Sequence, residues 1–171
     1  MYGTYETIDG RPAVRFERRY DHPVEAVWRA VTEPGELAHW FPARVSVDEL
    51  RVGAAMRFDF GEGTVMDGVV VELDEPRVFA FRWGSEHLRF ELEAIEGGAA
   101  TRLRFTHVLD EADTAARNAA GWHVCLDRLS ARLAGEETDA PDSSPTPEWR
   151  ARYEAYVERG VPSGAPIPSA S

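Results

Sequence analysis

Through the middle of the chain, apolar and polar residues alternate one by one. Val45 and Val47 alternate with Arg44, Ser46 and Asp48, and Met56, Phe58 and Phe60 with Arg57 and Asp59. A long run from Thr64 to Leu73 ends at Asp74-Glu75-Pro76. Phe79, Phe81 and Trp83 then alternate with Ala80 and Arg82, and Leu88, Phe90, Leu92 and Ala94 with Arg89, Glu91 and Glu93. Thr101, Leu103, Phe105, His107 and Leu109 alternate with Arg102, Arg104, Thr106 and Val108. Turns at Gly61-Glu62-Gly63, Gly84-Ser85 and Gly97-Gly98 separate the runs. A period of two with one apolar and one charged face predicts an antiparallel sheet with one side in water.

Helical spacing brackets this region. Val14, Phe16, Arg18 and Tyr20 share one side of a first strand, after which Pro23 opens a helix bearing Val24, Val27, Trp28 and Val31. Thr32 is placed to cap a second short helix with Pro34 in its first turn and Leu37, Trp40 and Phe41 on one face. Trp40 and Phe41 look exposed at its end. From Asp110 to Ala134, Ala115, Ala119, Trp122, Leu126, Leu129 and Leu133 recur at steps of three and four, the stripe of one long helix that can cover the dry face of the sheet. The acidic residues Asp110, Glu111 and Asp113 suit the start of that helix.

The pattern predicts an α+β helix-grip fold: seven antiparallel strands curved around a long C-terminal helix, with two short helices after the first strand. This domain spans residues 1–135, followed by a polar, Pro-rich linker at 136–147. An additional helix is expected at 148–160, with Trp149, Tyr153, Tyr156 and Val157 on one stripe and Gly160 as its C-terminal cap. Residues 161–171 read as a disordered tail. A helix about 10 Å across cannot fill a strongly bent sheet, so a cavity between the two is expected.

Arg18, Pro23, Val27, Trp28, Pro34, Leu37 and Trp40 follow the N-terminal signature of the START-like (SRPBCC) superfamily, in the branch related to the activator of heat-shock-protein-90 ATPase. Gly35 departs from that pattern, which has an acidic residue after the proline; Glu36 follows one place later. Gly121-Trp122 with Leu126 and Leu129 resembles the family's long C-terminal helix. The resemblance covers about residues 12 to 135. It implies the fold, and it implies a range of roles: lipid carriage, hormone reception, cyclase or hydroxylase chemistry, and chaperone regulation linked to stress response.

Charge narrows the range. Nineteen basic and 30 acidic residues among 171 give a net charge of −11, which disfavours nucleic acid and anionic membrane surfaces as partners. The first twenty residues carry Asp, Glu and Arg, so no signal peptide is expected. One cysteine, Cys125, allows no internal disulfide and fits a reducing cytoplasm. The five histidines make no zinc-type pair, no phosphate-binding glycine loop exists, and no serine sits in a nucleophile elbow. No metal or cofactor is expected.

Two sets of residues are candidates for chemistry. Arg18, Asp67 and His107 share alternation with apolar neighbours and, if all point inward, form a polar trio at the cavity mouth. Functionally, Arg18 would hold an anionic or carbonyl group and His107 would move a proton. The plainer reading is an internal Arg18–Asp67 ion pair and a histidine satisfied by backbone. A one-residue slip of the long strand would turn Asp67 outward and bring in Met66 and Val70. The second set is aromatic and apolar: Trp40 and Phe41 at the cavity mouth, Phe58, Phe60, Phe81, Trp83, Phe90 and Phe105 on strands, and Trp122 and Leu126 on the long helix. These either line a pocket for a flat or aliphatic molecule or form ordinary core.

The reading chosen is a carrier or sensor that binds a small hydrophobic or amphipathic molecule between sheet and helix. The alternatives are a chaperone-regulating protein-binding module, and a cyclase- or hydrolase-like enzyme using His107, Arg18 and Asp67. Trp149, Tyr153 and Tyr156 would dock on the domain itself or bind a chaperone or second subunit.

Overall fold

The sheet has eight strands rather than seven. In the computed structural model, which describes residues 1–139 and 145–167, Thr4–Ile8 (β1) folds back on Arg11–Tyr20 (β2). Asp9 and Gly10 make the turn at φ values of 50° and 78°. Asp-Gly is the favoured pair for such a two-residue hairpin. The other strands are Arg44–Val47 (β3), Ala55–Asp59 (β4), Val65–Asp74 (β5), Val78–Trp83 (β6), Glu86–Ile95 (β7) and Ala100–Val108 (β8). All neighbours are antiparallel, in the order β1-β2-β8-β7-β6-β5-β4-β3. The sequence therefore runs around the sheet, with only the β2–β8 pairing joining distant parts of the chain.

A bulge on β5 corrects the phase expected for that strand. Val70 lies opposite Phe81, but Glu72 lies opposite Ala80, so Val71 is the extra residue. Before the bulge the even-numbered positions share the face of Phe58 and Trp83; after it Leu73 takes over opposite Phe79. Val70 is buried and Asp67 is exposed. The apparent alternation Val65, Val69, Val71, Leu73 joined two registers into one.

The helices are Val24–Thr32 (α1), Pro34–Leu37 (α2), Ala115–Leu133 (α3) and Pro147–Glu158 (α4). Thr32 does not cap α2; its hydroxyl donates to the Trp28 carbonyl (2.7 Å) and Glu33 takes the cap position without a side-chain bond. Trp40 and Phe41 are not exposed: both are fully buried, and the Trp40 indole donates to the Ala30 carbonyl (2.9 Å), stapling α2 to α1. Arg132 near the end of α3 grips both carboxylate oxygens of Glu36 at 3.1 and 3.2 Å, and His39 is bonded to Thr138 at 2.9 and 3.1 Å. The short helix is thus held from three sides.

The C-terminal helix packs on the domain. The Thr146 hydroxyl accepts the Trp149 N–H (3.1 Å) at the start of α4, and Gly160, at φ 82°, ends it. Trp149 lies beside Gly121 of α3, where an added Cβ would stand 3.7 Å from the indole nitrogen. Tyr156 is fully buried, whereas Val157 is exposed and leaves the expected stripe. Residues 161–167 are not the disordered tail expected. Val161 and Ala165 are buried, and the Ala116 and Ala165 amides donate to Pro162 and Asp113 across the start of α3. The linker residues 140–144 and the tail residues 168–171 lie outside the described residues.

Candidate functional site

Aromatic rings pack in the space between sheet and α3, where a chamber is expected: Trp122 lies 4.6 Å from Phe105, 5.5 Å from Phe41 and 5.8 Å from Trp83, centroid to centroid. Phe105 continues to Phe90 (4.7 Å), and Phe41 to Phe58 (6.1 Å), which stacks on Phe81 (5.3 Å). Leu126 is fully buried beneath the same helix. Period-two strands place Phe58, Phe81, Trp83, Phe90 and Phe105 on one face, where they meet Phe41 and Trp122 edge to face or tilted, or stacked as with Trp83 and Trp122.

The stack reaches the surface at one end. Phe60 is half-buried and packs against Trp83 (5.5 Å). It borders an open cleft of about 370 Å³ formed by Ala38, Pro42, Ala43, Arg44, Asp59, Phe60 and Gly61, between the end of α2 and the β3–β4 edge. Arg44 and Asp59 stand opposite each other across the strands, giving the cleft a charged rim.

Behind Trp83 lies a polar chain. The Trp122 indole donates to Nδ1 of His107 (2.9 Å), and Nε2 of His107 faces Oε2 of Glu86 at 2.7 Å. An indole N–H can only donate, so Nδ1 carries a lone pair and the ring proton sits on Nε2, donating to Glu86. The same carboxylate accepts the Trp83 indole (3.2 Å) and the Asp110 amide (3.2 Å). Burial by itself raises the Glu86 carboxyl; hydrogen bonds from His107, Asp110 and Trp83 outweigh it and hold the group below the usual carboxylate range. His107 is fully buried, while the Glu86 side chain keeps 21% exposure. Histidine satisfied by backbone was the plainer expectation; side chains satisfy it instead. Glu86 was missed in the sequence, although it shares alternation with Leu88, Phe90 and Leu92.

The polar trio does not assemble. Asp67 faces water. Arg18 stands on the inner face of β2, four positions along from Val14, the residue opposite His107, or about 13 Å at strand spacing. Its guanidinium lies 5.4 Å from the Phe16 ring centroid, one nitrogen donates to the Glu17 carbonyl (3.2 Å), and the other is buried without a partner among the described residues. The expected Arg18–Asp67 ion pair is absent there. The Tyr20 hydroxyl is likewise buried and unpaired, and burial pushes its ionisation up.

A second histidine carries a structural task. The Tyr156 hydroxyl accepts the Gly3 amide (2.9 Å) and donates to Nδ1 of His123 (2.8 Å), tying both ends of the chain to α3. Burial first, then the cations of Arg152 and Arg18, hold His123 down at about 3, so it stays neutral in the folded protein. Its folded value lies below that of the unfolded chain, so its contribution is whole above about pH 6.5 and fades as pH falls toward 3. Stability is expected to drop by up to about 1.4 kcal/mol per pH unit below pH 6.5. Urea unfolding at pH 7 and pH 5 checks this; His123→Gln should flatten the difference.

A family model described as "Activator of Hsp90 ATPase homolog 1-like protein" matches residues 21–134. The chain belongs to this family. The Hsp90 ATPase activator homologues are a branch of the START-like superfamily, and this member carries β1, β2 and α4 outside the matched span. Among solved structures it is similar to a conserved protein of unknown function from Enterococcus faecalis (23% identity, TM-score 0.73, covering 92% of this chain and 89% of that one). It is also similar to CalU16 from Micromonospora echinospora (24%, TM-score 0.72, covering 93% and 94%). DynU16, a protein of the dynemicin biosynthetic locus, shares 29% identity at a TM-score of 0.64 over 75% of this chain and 51% of its own. No curated protein matches the sequence. The fold is of a ligand-binding type. Among the described residues, no helix is long and apolar enough to cross a membrane.

Proposed function

We propose that the protein binds a small hydrophobic or amphipathic molecule, as a carrier or sensor. The observation that carries this reading is the cleft of about 370 Å³ that opens on Phe60 and leads through Trp83 into the aromatic stack. An apolar floor with one cationic and one anionic group at its rim suits a flat or aliphatic body with a polar end. The ligand seats in the cleft, and deeper binding requires the rings to part. The origin of DynU16 in a biosynthetic locus supports a small-molecule role over a chaperone-directed one, which rests on the family's description alone.

Native mass spectrometry of molecules retained by the purified protein, followed by fluorescence titration with dodecanoate and 1-anilinonaphthalene-8-sulfonate, tests the reading. Ala38 is an exposed lining residue, so Ala38→Trp plugs the cleft without touching the core. Binding weaker by about tenfold, about 1.4 kcal/mol, is expected in that variant. No retained molecule and no binding of either probe, or equal affinity in Ala38→Trp, would discard the proposal.

A further inference from the structure

We propose that Trp122, His107 and Glu86 form an acid-operated latch: it holds the aromatic stack closed when His107 is neutral and releases the Trp122 ring when His107 takes up a proton. The inference rests on the ligand-binding reading and supplies the regulation of that site.

In the closed state each polar atom of the chain has its partner. The Trp122 N–H needs the lone pair on Nδ1 of His107, and the His107 N–H needs the Glu86 carboxylate. Imidazolium has hydrogen on both nitrogens. Protonation therefore sets two donors face to face at 2.9 Å and removes the acceptor on which Trp122 depends. The same proton turns the His107–Glu86 contact, already a hydrogen bond to an ionised carboxylate, into a full ion pair with charge on both partners. Glu86 draws the proton in, and the incoming proton expels Trp122.

The surroundings let His107 respond. Val14 on β2 and Leu88 on β7 lie opposite it and carry no charge, and the Trp83 ring of β6 stands 5.5 Å away. Glu86 is the ionised group in contact. Beyond it, Asp110 pairs with Arg11 at 2.8 Å, so those two charges largely cancel. On the other side, Trp122 separates Phe41 from Phe105 and lies face to face with Trp83, at 22° between planes. Moving that ring parts the stack behind the cleft wall.

The test is a 1H–15N NMR titration of the tryptophan indoles from about pH 8 to 5, with 1-anilinonaphthalene-8-sulfonate uptake followed in parallel. Trp122→Phe assigns the indole signal. As pH falls, that signal should leave its hydrogen-bonded position and dye uptake should rise several-fold. His107→Gln should hold both constant, and Glu86→Gln should move the midpoint to lower pH. Should His107→Gln fail to fold, the wild-type and Glu86→Gln titrations decide. A wild-type indole signal and dye uptake that do not change over the range overturn the latch, as does the same transition in His107→Gln. Movement of Trp122 with no molecule retained by native mass spectrometry and no binding of dodecanoate or 1-anilinonaphthalene-8-sulfonate at neutral pH keeps the latch and removes the ligand reading. Retained ligand with a static Trp122 does the reverse.

Discussion

Gly68→Ala is expected to lower stability by about 3 kcal/mol, at the upper end for forced insertion of one methyl group. Gly68 lies on the inner face of β5, opposite Trp83 on β6 and Met56 on β4. An added Cβ would stand 2.2 Å from the Arg82 carbonyl oxygen and 2.7 Å from Cε2 of Phe58. The Phe58 ring is itself wedged against Phe81, and the Arg82 oxygen belongs to the neighbouring strand's backbone. Relief therefore means prising β5 from β6 beside Trp83. A melting temperature about 10 °C lower is expected for a chain of this length. Differential scanning calorimetry checks it; an unchanged melting temperature would mean that the two strands do not approach this closely.

The second large effect belongs to Phe41→Ala, for which a loss of about 3–5 kcal/mol is expected. Phe41 is fully buried, with Trp40, Phe58, Phe81, Trp83 and Trp122 all around it. Several of these rings are fixed by other bonds, Trp40 to Ala30 and Trp122 to His107, so collapse into the gap is limited. The void is apolar and of a kind that takes up benzene. Benzene at saturation should therefore restore part of the lost melting temperature in Phe41→Ala and leave the wild type unchanged. Full loss without rescue would show that the surrounding rings close over the gap.

Much of the architecture was readable because it rests on period. The strand alternation from Val45 to Leu109 and the stripe from Ala115 to Leu133 report burial directly, and α4 announced itself through Thr146, Pro147 and Gly160. What failed to read were places where a local feature overrides the period. The bulge at Val71 reversed the phase of β5 and sent Asp67 outward. Asp9-Gly10 is a strong hairpin signal, but β1 has no clean alternation to accompany it, since it sits at the sheet's edge. Trp40 and Phe41 follow a helix of four residues, too short for a stripe to form, and the rings that bury Phe41 are far away in sequence. Glu86 could have been found by its face alone. Its role could not, because the bond to His107 depends on β7–β8 register and the bond from Trp122 on how α3 lies across it. Curvature of the sheet suggested a void, whereas the rings of the strands meet Phe41 and Trp122 within that space, which alternation along the strands could not show.

The fastening of Gly3 to Tyr156 joins residues 153 positions apart. During synthesis the β1 hairpin emerges long before its acceptor exists, and Phe16 and His123 stay uncovered until α4 arrives. Final closure is thus a late, long-range event, which slows maturation relative to a chain of local contacts and leaves the nascent protein dependent on delayed sealing. Trimming the gene to the matched residues 21–134 would remove that seal together with β2 and release a sticky surface.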